Sequence, residues 1–94
     1  MPKERSFAGV DDEIWECLRS STTQEHGTVY TFDAADPSAG TATTRISVIG
    51  DIVLGFKFDA ARATLTYTIQ QKPLIVRDDQ IWDGIQESID HCRN

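Results

Sequence analysis

The sequence predicts an α+β fold of two layers, with an N-terminal and a C-terminal helix packed on one face of a four-stranded antiparallel meander. Two observations favour this α-β-β-β-β-α order. Apolar residues recur at helical spacing near both ends of the chain, and they alternate with polar residues between residues 28 and 69. At 94 residues the chain has room for one modest core, so we expect a single domain over 1–94.

The first helix is expected to run from Asp11 to about Ser21, after a loose N-terminal arm formed by residues 1–9. The polar run SSTTQEHG should end this helix, and Gly27 opens the first strand. The helix has an apolar stripe at a spacing of three to four residues, made of Val10, Ile14, Trp15 and Leu18.

Four strands are predicted over residues 28–32, 41–49, 52–58 and 64–69, because apolar and polar residues alternate in each segment. One face of the sheet should be apolar and buried, and the other is polar and rich in threonine. The loop between the first two strands contains the turn-forming pair Asp36-Pro37 and Gly40, which we expect to adopt a positive φ.

The register of the hairpins follows from keeping all apolar side chains on one face. Placing Ile46 and Val48 beside Leu54 and Phe56 requires an even sum of residue numbers, and therefore an odd-length loop or a bulge at Gly50-Asp51. The next turn must have an even length, and the four residues 60–63 fit. We then expect two cross-strand pairs, Phe58 with Leu65 and Phe56 with Tyr67.

The second helix is predicted to begin at Asp78 and to continue to about Arg93. Pro73 lies between the last strand and this helix and interrupts the strand ladder. The apolar stripe of this helix consists of Ile81, Trp82, Ile85, Ile89 and Cys92.

Almost the same phrase opens both helices, DDEIWECL at 11–18 and DDQIWDGI at 78–85. We interpret it as a helix start, in which the first Asp caps the helix, the second interacts with the helix dipole, and the Trp anchors the helix on the sheet. Duplication of half the chain would have repeated the strands as well, and they show no repeat. Because the aspartates already have capping roles, we expect no metal site and no cofactor.

The formal net charge of −6, without any cluster of Lys or Arg, argues against nucleic-acid binding and against an anionic membrane surface. We therefore expect neither nucleic acid nor membrane as a partner. The sequence shows no secretory signal and no apolar run long enough for a membrane span, so we expect a cytoplasmic protein. Cys17 and Cys92 are then expected to be two thiols rather than a disulfide.

Zinc-ligand residue types occur at Cys17, His26, His91 and Cys92, but their spacing matches no zinc motif. His91 and Cys92 are neighbours on a helix and point to different sides, so they do not form a catalytic pair. The sequence contains no glycine-rich phosphate loop and no nucleophile elbow. We therefore assign no catalytic residue.

Five aromatic residues are the candidate ligand-binding set, because all are predicted to face the layer between helices and sheet: Trp15, Tyr30, Phe56, Tyr67 and Trp82. A sheet that curves around a helix can leave an apolar pocket in which tyrosine hydroxyls act as polar groups. The same residues can instead fill the core of a chain this short.

Three functions remain open from the sequence. The first is a small acidic, non-enzymatic binding or interaction protein, a homodimer formed through a sheet edge or the threonine-rich face. The second is a protein that binds a small apolar or aromatic molecule, or an enzyme, with an aromatic cleft between helices and sheet. The third is an acidic inhibitor or immunity-type partner of a basic protein, which rests on net charge alone.

Overall fold

The computed structural model describes residues 3–93 and shows an α+β fold, as the sequence predicts, with two helices and an antiparallel sheet of five strands. The strand order in the sheet is β1-β5-β4-β3-β2. The elements in chain order are β1 (Glu4–Ala8), α1 (Asp12–His26), β2 (Val29–Phe32), β3 (Ala39–Ile46), β4 (Gly50–Asp59), β5 (Thr64–Gln71) and α2 (Asp78–Arg93).

The fifth strand, β1, corrects the expectation of four strands and of a loose arm over residues 1–9. Glu4–Ala8 pairs antiparallel with β5, and Arg5 lies opposite Tyr67. The segment carries only one large apolar residue, Phe7, so its sequence lacks the alternation that marks a strand. Phe7 is buried, and its ring lies 6.3 Å from the rings of both Tyr67 and Trp82. Tertiary packing thus orders a segment whose local pattern is weak.

The β4–β5 register derived from the sequence is confirmed, whereas for β3–β4 only the even parity is confirmed, because the turn lies at 47–49 instead of at Gly50-Asp51 and Ile46 pairs with Gly50. In β3–β4 the partner numbers sum to an even value, as in Ala42↔Leu54, and three residues in a 3-10 turn, Ser47–Ile49, connect the strands. Four residues connect β4 to β5, and the expected pairs Phe58↔Leu65 and Phe56↔Tyr67 are present. Because the turn comes earlier than expected, Val48 lies in it with 96% of its surface exposed and not on the apolar face of β3.

Gly40 is needed for space rather than for a positive φ, which corrects the expectation for this residue. It lies within β3 opposite Phe32, and a Cβ atom there would lie 2.0 Å from the backbone oxygen of Thr31. Any side chain at this position would push β2 away from β3.

Helix α1 is longer than predicted, because the polar run after Ser21 continues the helix to His26. The helix begins as expected, since the amide of Ile14 donates to the Asp11 carboxylate at 2.9 Å. It ends at Gly27, which adopts the left-handed conformation with φ 68°. The Thr22 hydroxyl donates to the Leu18 carbonyl at 2.8 Å, which satisfies a polar side chain inside the helix.

Helix α2 has the predicted bounds, but its cap differs from the expected one. The amide of Arg77 donates to the Gln80 side chain at 2.8 Å, and the amide of Gln80 donates to the Arg77 carbonyl at 3.1 Å. Arg77 is therefore the residue before the first turn, and Asp78 lies inside that turn. The Asp78 carboxylate pairs with Lys72 at 3.5 Å. The first Asp of the repeated phrase therefore has different positions in the two helices: Asp11 is the N-cap of α1, whereas Asp78 is the first residue of α2.

Cys17 and Cys92 form a disulfide between α1 and α2, with their Cα atoms 5.9 Å apart, which corrects the expectation of two thiols. The bond joins the first turns of α1 to the last turn of α2, so the two helices run in opposite directions. Ser21 and Ser88 face the same groove further along the pair. Neither helix within residues 3–93 has the length and apolar character needed to cross a membrane.

The core lies between the helices and one face of the sheet, and both tryptophans belong to it. Trp15 stacks on Phe58 with 5.8 Å between ring centroids and lies 5.1 Å from Phe56. Trp82 packs beside Phe7 on the β1 side of the sheet. Trp15 and Trp82 are only 5% and 7% exposed, respectively, so each anchors its helix on the sheet as predicted.

Candidate functional site

A cavity of about 200 Å³ lies between the two helices and the sheet. It occupies the end of the molecule where α1 ends and α2 begins, and it opens beside the exposed residues His26, Gln80 and Gly84. The disulfide closes the opposite end of the helix pair. Aromatic rings therefore fill the half of the helix–sheet interface near the disulfide, and the cavity lies in the other half.

The cavity exists because small side chains coincide on three elements. The sheet contributes Ala42 and Thr44, the first helix Thr22, and the second helix Gly84. A protein interior is close-packed when neighbouring side chains interdigitate, and these four small residues leave space between the helices and the sheet. The remaining apolar walls come from aliphatic residues of α1, α2, β3 and β4, namely Leu18, Ile81, Ile85, Ile46, Ile52 and Leu54.

Hydroxyl groups supply most of the polar atoms of the cavity wall. The hydroxyls of Thr22 and Tyr30 lie 2.7 Å apart. Because the single Thr22 proton is donated to the Leu18 carbonyl, Tyr30 must be the donor of this pair. Below them, the hydroxyls of Thr28 and Thr44 also lie 2.7 Å apart. The wall therefore contains paired hydroxyls whose oxygens still have free lone pairs.

The environment of the cavity keeps both tyrosines neutral. Burial raises the pKa of Tyr30, and its hydrogen bond to Thr22 opposes only part of that rise. Burial raises the pKa of Tyr67 well above its ordinary value, and the neighbouring Tyr30 hydroxyl adds to the effect. Because both phenol groups remain protonated at neutral pH, they act on a ligand as hydrogen-bonding groups and not as charges.

The structure divides the five predicted site residues into two groups. Tyr30 and Tyr67 both line the cavity, as an aromatic cleft would require. Trp15, Phe56 and Trp82 are buried in the filled half of the interface and do not line it. The expectation of a pocket and the expectation of a filled core therefore describe different halves of the same layer.

Three threonines of the cavity wall were not identified as site residues. Thr28 and Thr44 have the same even numbering as Tyr30 and Ala42, which places them on the helix-facing side of the sheet. Two threonines on the buried face of adjacent strands are the sequence feature that indicates a polar cavity wall. Thr22 lies one residue beyond the predicted end of the first helix. Its position facing the sheet appears only once the helix extends to His26.

The zinc-ligand types do not assemble into a site. Cys17 and Cys92 are joined to each other, and no group of three or more potential metal ligands occurs within residues 3–93. His26 and His91 lie along the groove between the helices together with Glu25 and Glu87. The Glu25 carboxylate is 4.0 Å from the His26 ring.

A comparison of this chain with protein-family models, with curated proteins and with solved structures finds no match.

Proposed function

We propose that this chain binds a small neutral molecule, a single ring that carries a hydroxyl group, in the cavity between its helices and sheet. The observation that carries this proposal is the cavity of about 200 Å³, with mostly apolar walls, between the two helices and the sheet. An apolar cavity of about 150 Å³ accepts benzene, so a substituted ring is the matching size. Natural cavities of this kind, apolar with a few polar groups, are the usual form of a ligand site.

The lining favours a neutral ligand. Of the residues that line the cavity, none is Lys, Arg, Asp or Glu, and the one imidazole, that of His26, lies at the opening. A charged group buried there would lose its hydration without gaining an opposite charge. An anionic ligand would in addition meet the net charge of −6.

The hydroxyl pairs favour a ligand that donates a hydrogen bond. Tyr30 donates its proton to Thr22 and accepts from the Tyr67 hydroxyl, so only the remaining lone pairs of the Tyr30 and Tyr67 oxygens are acceptors for a ligand. A ligand hydroxyl directed at these two oxygens would be satisfied, whereas an ether would leave them unpaired. We therefore expect phenol to bind more tightly than benzene, and anisole no more tightly than benzene.

Titration calorimetry with phenol, anisole and benzene tests this proposal, and two variants of one strand provide the contrast. Ala42→Leu places three further carbon atoms in the cavity, and it should weaken phenol binding about tenfold or more. Thr43→Leu is the matched control, because the neighbouring side chain on a strand points to the opposite face. It should bind phenol as the parent chain does.

Two results would remove the proposal. One is a parent chain that binds none of the three ligands, and the other is equal phenol binding by Ala42→Leu and the parent. If Ala42→Leu does not fold, Ile85→Phe fills the same cavity from α2 and serves the same comparison.

Self-association through the β2 edge is a second candidate, and it keeps the homodimer expected from the sequence as a proposal. Strand β2 is an outer strand of the sheet, and Val29 and Phe32 on it are 62% and 42% exposed. An open strand edge with apolar side chains is a pairing surface. Sedimentation of the parent and of Val29→Lys tests it, because a lysine on this edge removes exposed apolar surface and adds charge. A monomer at high concentration would exclude this dimer.

An oxidising compartment is the location we propose, in place of the cytoplasm expected from the sequence. The Cys17–Cys92 disulfide supports it, because such bonds persist where thiols are not kept reduced. Alkylation of the protein in intact cells, followed by mass spectrometry, distinguishes the two. Unlabelled cysteines agree with an oxidising compartment, and two labelled cysteines indicate the cytoplasm.

A further inference from the structure

Four apolar side chains project from one end of the molecule, and we name them the apolar tip: Val48, Ile49, Leu74 and Ile75. Their exposed fractions are 96%, 42%, 98% and 73%, respectively. Single exposed apolar residues are ordinary on protein surfaces, but a contiguous group is uncommon and marks a contact surface.

The apolar tip is contiguous because two loops meet at the end of the sheet. Val48 and Ile49 belong to the turn between β3 and β4, and Leu74 and Ile75 belong to the link between β5 and α2. A Cβ atom on Gly50 would lie 3.6 Å from Pro73, so the two loops touch. In the β4–β5 register Val53 lies opposite Gln71, so the start of β4 and the end of β5, and with them both loops, lie at the same end of the sheet.

The charged residues around the apolar tip neutralise one another. Three cations and three carboxylates occur there, and each cation has a carboxylate partner. The pairs are Arg45 with Asp51 at 3.9 Å, Lys72 with Asp78 at 3.5 Å and Arg77 with Asp79 at 3.6 Å. The net charge of this end is therefore close to zero, although the whole chain carries −6.

We propose that the apolar tip inserts into the interface of an electrically neutral, zwitterionic lipid surface. Leu74 and Val48 project almost fully exposed from the two loops. A fluid lipid interface can surround such projecting side chains. The exposed guanidinium groups of Arg45 and Arg77 lie beside them, where they reach lipid phosphates as the apolar groups enter. This surface differs from the anionic membrane that the net charge excludes.

A second copy of the chain fits the apolar tip less well. A stable protein interface buries about 800 Å² on each partner, mostly over a flat and closely packed surface. Four side chains on two turns provide less than that, and the ion pairs around them would lose water on a protein surface. The lipid surface is therefore the occupant that the exposure and the charge balance favour.

The position of the apolar tip also suggests a route for the ligand. Ile46 and Ile52 border the β3–β4 turn, Gln80 and Ile81 follow the second loop, and all four line the cavity. An apolar molecule dissolved in the lipid would reach the cavity from this end. This part rests on the proposed function, whereas membrane contact itself does not.

Co-sedimentation with phosphatidylcholine vesicles tests the membrane contact. The parent chain should bind them. The double variant Leu74→Asp with Ile75→Asp should bind at least about tenfold more weakly than the parent, or not at all. Val29→Asp is the matched control, because Val29 is an exposed apolar residue outside the apolar tip, and it should bind as the parent does. Replacing part of the phosphatidylcholine by phosphatidylglycerol should weaken binding.

A tryptophan probe gives a second readout that does not depend on the acidic variants. Trp15 and Trp82 are already buried, so their emission should change little when vesicles are added. The emission of a Leu74→Trp variant should shift to shorter wavelength with phosphatidylcholine vesicles. No shift, together with a parent chain that does not sediment, would overturn the proposal.

Other results would overturn the membrane contact while leaving the cavity proposal in place. If the aspartate variant changes a dimer of the parent into a monomer and no vesicle binds, the apolar tip is an interface between copies. Stronger binding to vesicles that contain phosphatidylglycerol would show that charge, and not apolar insertion, controls the contact. Phenol titration without vesicles is independent of all these results, so failure of either proposal is recognised separately.

Discussion

Thr22 and Tyr30 join the first helix to the second strand through a hydrogen bond of 2.7 Å between their hydroxyls, at the wall of the cavity between the helices and the sheet. This bond fixes the Tyr30 ring and directs its oxygen toward the cavity. Tyr30→Phe should therefore remove the preference for phenol over benzene, with a cost to stability of about 1 kcal/mol. Calorimetry of the two ligands and urea unfolding measure the two effects. A preference retained by Tyr30→Phe would contradict this role.

The two tyrosines also predict how stability depends on pH. Their pKa values are raised in the folded chain, so the unfolded chain ionises first as the pH rises. The stability that they contribute is fully present below the unfolded pKa of about 10 and is lost as the pH rises above it toward the folded pKa values. Because Tyr30 and Tyr67 are the only tyrosines, phenolate absorbance reports on them alone. If Tyr30 and Tyr67 ionise at pH 10 while the chain stays folded, their burial in the folded state would be contradicted.

The disulfide should be the largest single covalent contribution to stability. Its cysteines are separated by 75 residues in sequence. Closing a loop of that length lowers the conformational entropy of the unfolded chain, which stabilises the folded state by about 4 kcal/mol. Reduction should lower the urea midpoint of the parent chain. The double variant Cys17→Ser with Cys92→Ser should have that lower midpoint with or without the reductant. Equal midpoints for the oxidised and reduced parent would show that the bond does not form in solution.

The two aspartates that open the repeated phrase should differ in importance. Asp11→Ala removes a cap that accepts from the Ile14 amide, at a cost of about 0.5–2 kcal/mol. Asp78 lies within the first turn of α2, where it contributes through the helix dipole and the Lys72 pair, so Asp78→Ala should cost less than about 1 kcal/mol. Urea unfolding of both variants measures the difference. A larger loss for Asp78→Ala would contradict the assignment of Arg77 as the cap.

Trp82 should be a structural residue and not a ligand contact. It is buried beside Phe7 and does not line the cavity, so Trp82→Ala should destabilise the chain by about 3–5 kcal/mol. Leu74→Ala is the contrasting variant, since a side chain that is 98% exposed should cost little. A loss below about 1 kcal/mol for Trp82→Ala would show that the indole is not part of the core.

The α+β class, the β4–β5 register and the even parity of the β3–β4 register could be predicted because they follow from strong local patterns. An alternating strand tolerates no slip of one residue, so the odd length of the β3–β4 turn follows from the sequence, whereas its position at 47–49 does not. Strand β1 could not be predicted because Phe7 is its only buried residue. Its pairing partner, β5, lies about sixty residues away in the sequence. Local alternation contains no information on such a pairing.

The candidate site was predictable only in part for a similar reason. An inward-facing tyrosine looks the same in sequence whether it touches a cavity or another ring. What separates Tyr30 from Phe56 is that Ala42, Thr44 and Gly84 come together from distant segments, and this depends on the tertiary fold. The disulfide could not be predicted from local patterns, because Cys17 and Cys92 come together only when the two helices pack antiparallel.

Binding of a ligand in the cavity between the helices and the sheet can be followed by amide chemical-shift changes in the ¹⁵N-labelled chain during titration with phenol. We expect saturable shifts centred on cavity residues such as Thr22, Thr44 and Gly84, and no such shifts in Ala42→Leu. A titration that leaves these amides unchanged, or that shifts only Leu74 and Ile75 at the apolar tip, would contradict binding in the cavity.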